Sequence, residues 1–215
     1  MSCPQCLGIE ETFNGRLAER ELRDYQAHGP GKTTRLLINA LTGLGIKDLT
    51  LLDIGGGVGV IQHELIKDGV ASATSVDASS AYLQAARQEA QRQGLADRVC
   101  YLHGDFVQVS DKVPPADIVT MERVICCYPD MRALVSQSSA RSRRYFGVIF
   151  PRDTWWIKWG AKAFNFFRGL GRGNFHFFVH STADVEALIR DKGFERVFYQ
   201  RSGFWQVILY ARAEV

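Results

Sequence analysis

Leu49-Thr-Leu-Leu-Asp53-Ile-Gly55-Gly-Gly57-Val-Gly59 is the stretch on which the reading of this chain turns. A short apolar run ends at Asp53, and glycines then stand at 55, 56, 57 and 59 before an amphipathic segment begins. Glycine at alternate positions lets the backbone turn sharply out of a strand and come close to a ligand with no Cβ in the way. The dinucleotide fingerprint Gly-x-Gly-x-x-Gly would need a glycine at position 60, where the chain carries Val60. The loop therefore departs from that fingerprint.

Working outward, the pattern from residue 48 alternates strand and helix, which is the signature of a parallel sheet. Strands are predicted at about 49–54, 72–77, 98–103, 116–121 and 144–150, with helices at about 58–68, 79–93 and 130–140 between them. Ser79 or Ser80 caps the second of these helices and Gly94 ends it. A further helix is capped by Thr182, runs to about Lys192 and stops at Gly193. The tail, Phe194–Gln200 and Phe204–Ala211 joined by Arg201-Ser-Gly203, reads as an antiparallel hairpin. Residues 1–45 read as a mainly helical extension: a surface helix over 14–26, the breaker His28-Gly-Pro-Gly31, and an amphipathic helix over 32–44. Gly29-Pro-Gly31-Lys-Thr-Thr34 looks like the end of a phosphate-binding loop, but position 26 is Gln and no strand precedes it, so a turn into a helix explains it.

A chain of 215 residues with 46% apolar content suffices for one packed α/β domain. The balance of 26 basic against 23 acidic residues excludes the strongly basic character expected of a nucleic-acid binder. The basic cluster Arg141-Ser-Arg-Arg144 reads as a solvated helix end. No signal-peptide core and no membrane-spanning run is present, and five cysteines, an odd number, fit reduced thiols in the cytoplasm. Cys3-Pro-Gln-Cys6 has the spacing of half a zinc site without a second pair to complete it, so no metal is expected.

Asp53-x-Gly55-x-Gly57-x-Gly59 resembles the first motif of the class I S-adenosylmethionine (SAM) methyltransferases. The resemblance implies a Rossmann-like, mostly parallel seven-stranded sheet with an antiparallel C-terminal hairpin and helices on both faces, and SAM as cofactor. It implies that the amides of Gly55, Gly56, Gly57 and Gly59 cradle the methionine end of the cofactor, with Asp53 beside its amino group or a bound water. Asp77, closing the next strand 24 residues after Asp53, would take both ribose hydroxyls, with Ala78 next to it. Asp105 would accept from the adenine amine while Phe106 packs on the ring. Glu122 and Tyr25 complete the expected cofactor contacts, and the segment around Phe13 and Tyr25 would close over the ligand.

Arg123-Val-Ile-Cys126-Cys127-Tyr128-Pro-Asp130 is similar to the segment after strand four in the ubiquinone and menaquinone type small-molecule methyltransferases, with two cysteines where those have histidines. The chain also resembles the magnesium-protoporphyrin O-methyltransferase-like proteins. The expected reaction is methyl transfer to a small apolar or aromatic acceptor, with Glu122, Tyr128 or His176 as candidates to receive a proton. The alternative is a catalytically silent SAM-binding or interaction protein. Methylation of nucleic acid is disfavoured, since no Asn/Asp-Pro-Pro-Tyr follows strand four.

The expected division is an extension or lid over 1–45 and a SAM-binding domain over 46–215, with an aromatic cap inserted at about 152–178. That insert holds Trp155, Trp156, Trp159, Phe164, Phe166 and Phe167 with Lys158 and Lys162. Three readings of it stand open: a cap over a flat apolar substrate, an interfacial membrane helix, or packing against the sheet.

Overall fold

The computed structural model describes residues 4–170 and 175–213. Three helices, α1 (Pro4–Thr12), α2 (Gly15–His28) and α3 (Lys32–Thr42), precede β1 (Thr50–Ile54). Strand and helix then alternate through α4 (Val60–Lys67), β2 (Ser72–Asp77), α5 (Ser80–Arg92), β3 (Val99–His103), α6 (Phe106–Val109), β4 (Ala116–Glu122), α7 (Met131–Ala140) and β5 (Ser142–Pro151). The chain continues into α8 (Trp155–Leu170) and α9 (Thr182–Arg190) and ends in the hairpin β6 (Phe194–Ser202) and β7 (Trp205–Arg212).

The strands form one seven-stranded sheet in the order β3-β2-β1-β4-β5-β7-β6. The first five run parallel, and β7 is inserted antiparallel between β5 and β6. This is the Rossmann-like architecture with an antiparallel terminal hairpin that the sequence predicts. Successive side chains of each strand point to opposite faces, so the strands sort their apolar residues onto two cores. Leu52, Ile54, Val119, Met121, Phe146, Val148, Ile208 and Tyr210 join Leu134 and Val135 of α7 and Val185 and Ile189 of α9 on one face. Leu51, Ile118, Ile149, Val207 and Leu209 join Leu37 and Leu41 of α3 and Leu65 of α4 on the other. At about 25 cal/mol per Å² of apolar surface removed from water, these two layers are the main term holding the strand tips in place.

Four local expectations shift. Ser181, not Thr182, caps α9, accepting from the amide of Asp184, because the Thr182 hydroxyl is committed to Asp153 Oδ1 at 2.9 Å. The helix also stops at Arg190 rather than Lys192. β5 begins at Ser142, so the basic cluster is split: Arg141 caps α7 and pairs with Asp111, while Arg144 lies on the strand and faces Asp117. The hairpin turn falls at residues 203–204, where Gly203 has φ +59°.

The aromatic segment does form a helix, α8, but it is not packed against the sheet. Ile157 is buried on its inner side, whereas Trp155, Trp159, Phe166 and Phe167 are exposed. The reading as core packing is thereby corrected: the residues that would have to face the sheet point the other way. The glycine-rich stretch at 169–173, which follows the aromatic run in the sequence, lies largely outside the described residues.

Candidate functional site

β1, β2 and β4 bring their carboxyl ends to one cavity of about 710 Å³. β1 is flanked by β2 on one side and β4 on the other, which is the switch point at which open α/β sheets bind ligands.

The floor is the glycine loop. Gly55, Gly57 and Gly59 have φ of +64°, +57° and +85°, backbone that side chains resist. A Cβ on Gly55 would run into Cγ2 of Val124, and one on Gly56 would lie 2.7 Å from Asp53 Oδ2. Gly55, Gly56 and Gly57 line the cavity. Gly59 does not: it is the left-handed N-cap of α4, backed by Gln62 and His63, and its part is the tight junction between loop and helix.

Asp53 lies beneath the loop, 1% exposed. Its Oδ1 accepts from Thr120 Oγ1 at 2.7 Å, while Oδ2 has no partner among the described residues. Burial pushes this carboxyl up to about 7, against the Thr120 hydrogen bond, and Glu122 and Asp77 nearby add to the rise. Asp77, at the tip of β2, accepts from the amides of Ser79 at 2.8 Å and Gly57 at 3.1 Å. Burial takes it up to about 6, although these two amides favour its charged form. Asp105 caps α6 and accepts the Tyr128 hydroxyl at 3.0 Å on each oxygen, so two residues named separately from the sequence form one wall. Phe106 and Ala78 line the same wall.

At the tip of β4, Glu122 accepts Thr34 Oγ1 at 2.7 Å and lies 3.6 Å from Arg123 Nε. Burial raises its carboxyl despite both partners. Arg123 adopts φ +59°, which is costly for a residue with a side chain. Four contacts fix it there: its amide bonds Ile149 O at 2.7 Å, its Nη2 donates to Thr33 Oγ1 at 3.2 Å, its Nε faces Glu122, and its guanidinium lies 5.0 Å over the Trp205 ring. The two cysteines that follow differ in setting. Cys126 is buried, and the neighbouring Cys127 thiol together with burial pushes it up, whereas half-buried Cys127 lines the cavity. Their sulfurs are 3.8 Å apart.

The roof comes from the N-terminal helices, through Ile9, Phe13, Glu21 and Tyr25. The Phe13 ring meets Tyr82 and Phe175 edge-on. The Tyr25 hydroxyl donates to Glu64 Oε1 at 2.6 Å and its ring stacks on His63, so it presents ring rather than hydroxyl to the ligand space.

Of the residues expected from the sequence, Asp53, Gly55, Gly56, Gly57, Asp77, Ala78, Asp105, Phe106, Glu122, Tyr25 and Tyr128 meet at this cavity. His176 does not line it and is exposed. His180 hydrogen-bonds Tyr128 O at 3.0 Å, a structural role. Among the described residues no side chain of α8 lines the cavity, so its aromatic cover comes from Phe13 and Tyr25 and not from the insert. Sequence reasoning passed over Gly29, Gly31 and Thr34: the stretch is the turn into a helix that was read, yet it also walls the cavity. Cys126 and Cys127 were open between lining the acceptor pocket, binding as soft ligands and packing; Cys127 lines the cavity and Cys126 is buried, while Arg123 had no contact assigned. Cys3 lies outside the described residues. Among the described residues no group of three or more His, Cys, Asp or Glu side chains is arranged to hold a metal ion.

The residues present fit a nucleoside-type cation. The loop forms a cradle that a Cβ would fill, a buried carboxylate oxygen is unpartnered beneath it, and Asp77 and Asp105 stand at successive strand tips.

Residues 51–142 match the family described as methyltransferase domain. Magnesium protoporphyrin IX methyltransferase from Synechocystis PCC 6803, crystallised with bound SAH, shares the fold at a TM-score of 0.74 and 19% identity, over 97% of this chain and 100% of that one. An O-methyltransferase family protein from Burkholderia thailandensis superposes with a TM-score of 0.71 at 13% identity, over 92% of this chain and 59% of that one. Ribosomal protein L11 methyltransferase from Enterobacter sp. (strain 638) is 37% identical over 78 residues, which are 36% of this chain and 27% of that protein. The one from Haemophilus influenzae (strain PittEE) is 30% identical over 112 residues, 51% of this chain and 36% of that protein. The chain thus spans about a third or less of the length of these curated relatives. Together the cavity, the topology and the matched segment give the conclusion that this chain has the class I methyltransferase fold, with residues 51–142 similar to the methyltransferase-domain family.

Proposed function

We propose that the chain is a SAM-dependent methyltransferase acting on a small apolar or aromatic acceptor. The observation that carries this reading is the left-handed glycine loop standing over Asp53 at the switch point, with Asp77 at the adjoining strand tip. In it the loop amides of Gly55 to Gly57 hold the carboxylate end of the cofactor, Asp77 and Ala78 the ribose, and Asp105 and Phe106 the adenine. When bound, SAM supplies an electrophilic methyl group on a sulfonium centre.

The protein's own contribution is alignment and dehydration, since an in-line displacement needs a near-attack geometry more than acid or base strength. Phe13 and Tyr25 close the cavity against water, which makes α1 and α2 the lid of this reading. Arg123, Cys127, Tyr128 and Leu134 form the wall left to the acceptor. Where the acceptor must lose a proton, Glu122 is the carboxylate best placed to take it, and Tyr128 orients it. The exposed His176 carries no step. Five cysteines, an odd number, support a cytoplasmic location, and among the described residues no helix is long and apolar enough to cross a membrane.

The test is calorimetric or thermal-shift titration with SAM and with its demethylated product, followed by turnover on a panel of aromatic and apolar O-, N-, S- and C-nucleophiles. Failure of both ligands to bind overturns the reading. Binding without turnover on any acceptor would leave a cofactor-binding protein instead.

A further inference from the structure

Helix α8 carries its apolar residues on the side away from the protein. On a helical projection Trp155, Trp159 and Phe166 share one line, with Trp156 and Phe167 on its flank. Trp155 is 75% exposed, Trp159 70%, Phe166 67% and Phe167 70%. Soluble surfaces seldom leave this much contiguous aromatic area in water.

The orientation is fixed rather than loose. Ile157, Ala161 and Asn165, four residues apart, make the inner line. Ile157 is 1% exposed, and Asn165 makes a two-way bond with Phe177, its Nδ2 donating to the carbonyl at 2.7 Å and its Oδ1 accepting the amide at 2.8 Å. The aromatic face cannot roll inward without breaking these bonds and exposing Ile157.

Charge identifies what the face meets. The sequence of α8 holds Lys158, Lys162 and Arg168 and no carboxylate. Lys158 and Lys162 are exposed and fall on the border between the aromatic line and the inner line. A second protein built to cover such a face would have no acidic partner to choose within it, whereas an anionic lipid surface satisfies both parts at once. Tryptophan rings sit at headgroup depth, and flanking lysines attract the phosphates above them. Sixteen residues make a rod of roughly 24 Å, which lies along a bilayer rather than across its apolar thickness of about 30 Å.

We propose that α8 is an interfacial anchor that docks this protein, reversibly, on the surface of an anionic phospholipid bilayer. A string of ring contacts joins the inner side of α8 to the site: Phe164 of α8 meets Phe177, Phe177 meets Phe204, Phe204 meets Trp205, and Trp205 stacks under Arg123 of the cavity wall. A docked protein would therefore hold its cavity beside the bilayer, where an apolar acceptor partitions. The anchor itself does not depend on methyl transfer.

Three of the four tryptophans lie on α8, so intrinsic fluorescence reports on it. The full chain is mixed with vesicles of phosphatidylcholine alone and of phosphatidylcholine with phosphatidylglycerol, and binding is read by emission shift and by sedimentation. The expected result is a blue shift and co-sedimentation with the anionic vesicles, weakened by salt. W155A/W159A should weaken binding by about tenfold or more, and K158E/K162E should abolish the preference for anionic lipid. Circular dichroism and the thermal shift produced by SAM's demethylated product should be unchanged in both variants, which separates loss of the anchor from loss of the fold. Absence of binding to either vesicle overturns the proposal. So does a concentration-dependent dimer, seen by ultracentrifugation, that W155A/W159A dissociates.

Discussion

The hydroxyl of Thr34, in the first turn of α3, donates to Oε1 of Glu122 at 2.7 Å and so ties the N-terminal helices to the tip of β4. This bond favours the charged form of a carboxyl that burial otherwise raises. Thr34→Val removes the donor and keeps the shape. Stability should fall by about 1 kcal/mol. If Glu122 takes the acceptor's proton, the acidic limb of the rate profile should move to higher pH, because an unassisted carboxyl ionises later. Thr34→Ser, which restores a hydroxyl, should return the profile. A profile that is identical in all three proteins would remove Glu122 from the proton path.

Gly55→Ala and Gly203→Ala put the same methyl group on left-handed backbone, but only the first meets an obstacle. Gly203 has nothing within 4 Å of a built Cβ, while at Gly55 the side chain of Val124 occupies the space. Gly203→Ala should cost about 1 kcal/mol in chemical denaturation and leave cofactor binding intact. Gly55→Ala should cost about 2 to 3 kcal/mol and weaken the cofactor by about tenfold or more. Equal cofactor affinity in the two variants would separate the loop from the ligand.

Asp53 and Asp77 titrate near 7 and 6 in the free protein, raised by burial. Raised carboxyls stabilise the fold most below their unfolded values near 3.9, and that contribution is lost as pH rises through 6 and 7 (about these values). A cationic ligand favours the ionised forms, so its affinity should increase between those pH limits, with protons released on binding. Calorimetry at neutral pH in buffers of different ionisation enthalpy measures the release. Asp53→Asn should reduce it, and binding with no proton release would show that neither carboxyl senses the cofactor's charge.

Cys127 faces the cavity, Cys126 is buried and Cys100 is exposed on β3. Alkylation followed by peptide mass spectrometry should label Cys100 fast, Cys127 more slowly and Cys126 least. SAM or its demethylated product should protect Cys127 and leave Cys100 unaffected. Equal labelling of Cys127 with and without ligand would move the ligand away from the β4 wall.

The sheet was legible because its signals are local: apolar runs closed by glycine at 55 and by Asp77, and a hairpin whose two strands lie close in sequence. The cofactor side was legible for the same reason, since Asp53, the loop, Asp77 and Asp105 each lie at a strand end or within two residues past it. What escaped depends on distances the chain does not encode in series. Thr34 reaches Glu122 across 88 residues, and a Gly-Pro-Gly breaker gives no hint that its far side walls a cavity. Gly59 was grouped with the ligand contacts by the family resemblance, although its left-handed backbone serves the α4 junction. The aromatic insert was left with three readings open, because which side of it faces the protein is fixed by Asn165 bonding Phe177, a contact that periodicity cannot reveal.

Because β7 is threaded between β5 and β6, the sheet is completed only by the strand that comes last in the chain order of the seven. Until Trp205–Arg212 leaves the ribosome, the edge of β5 stands open with Phe146, Val148 and Phe150 lacking their cover. Truncation before Trp205 should therefore yield aggregating, protease-sensitive fragments rather than a smaller folded domain, and folding must wait for the closing strand.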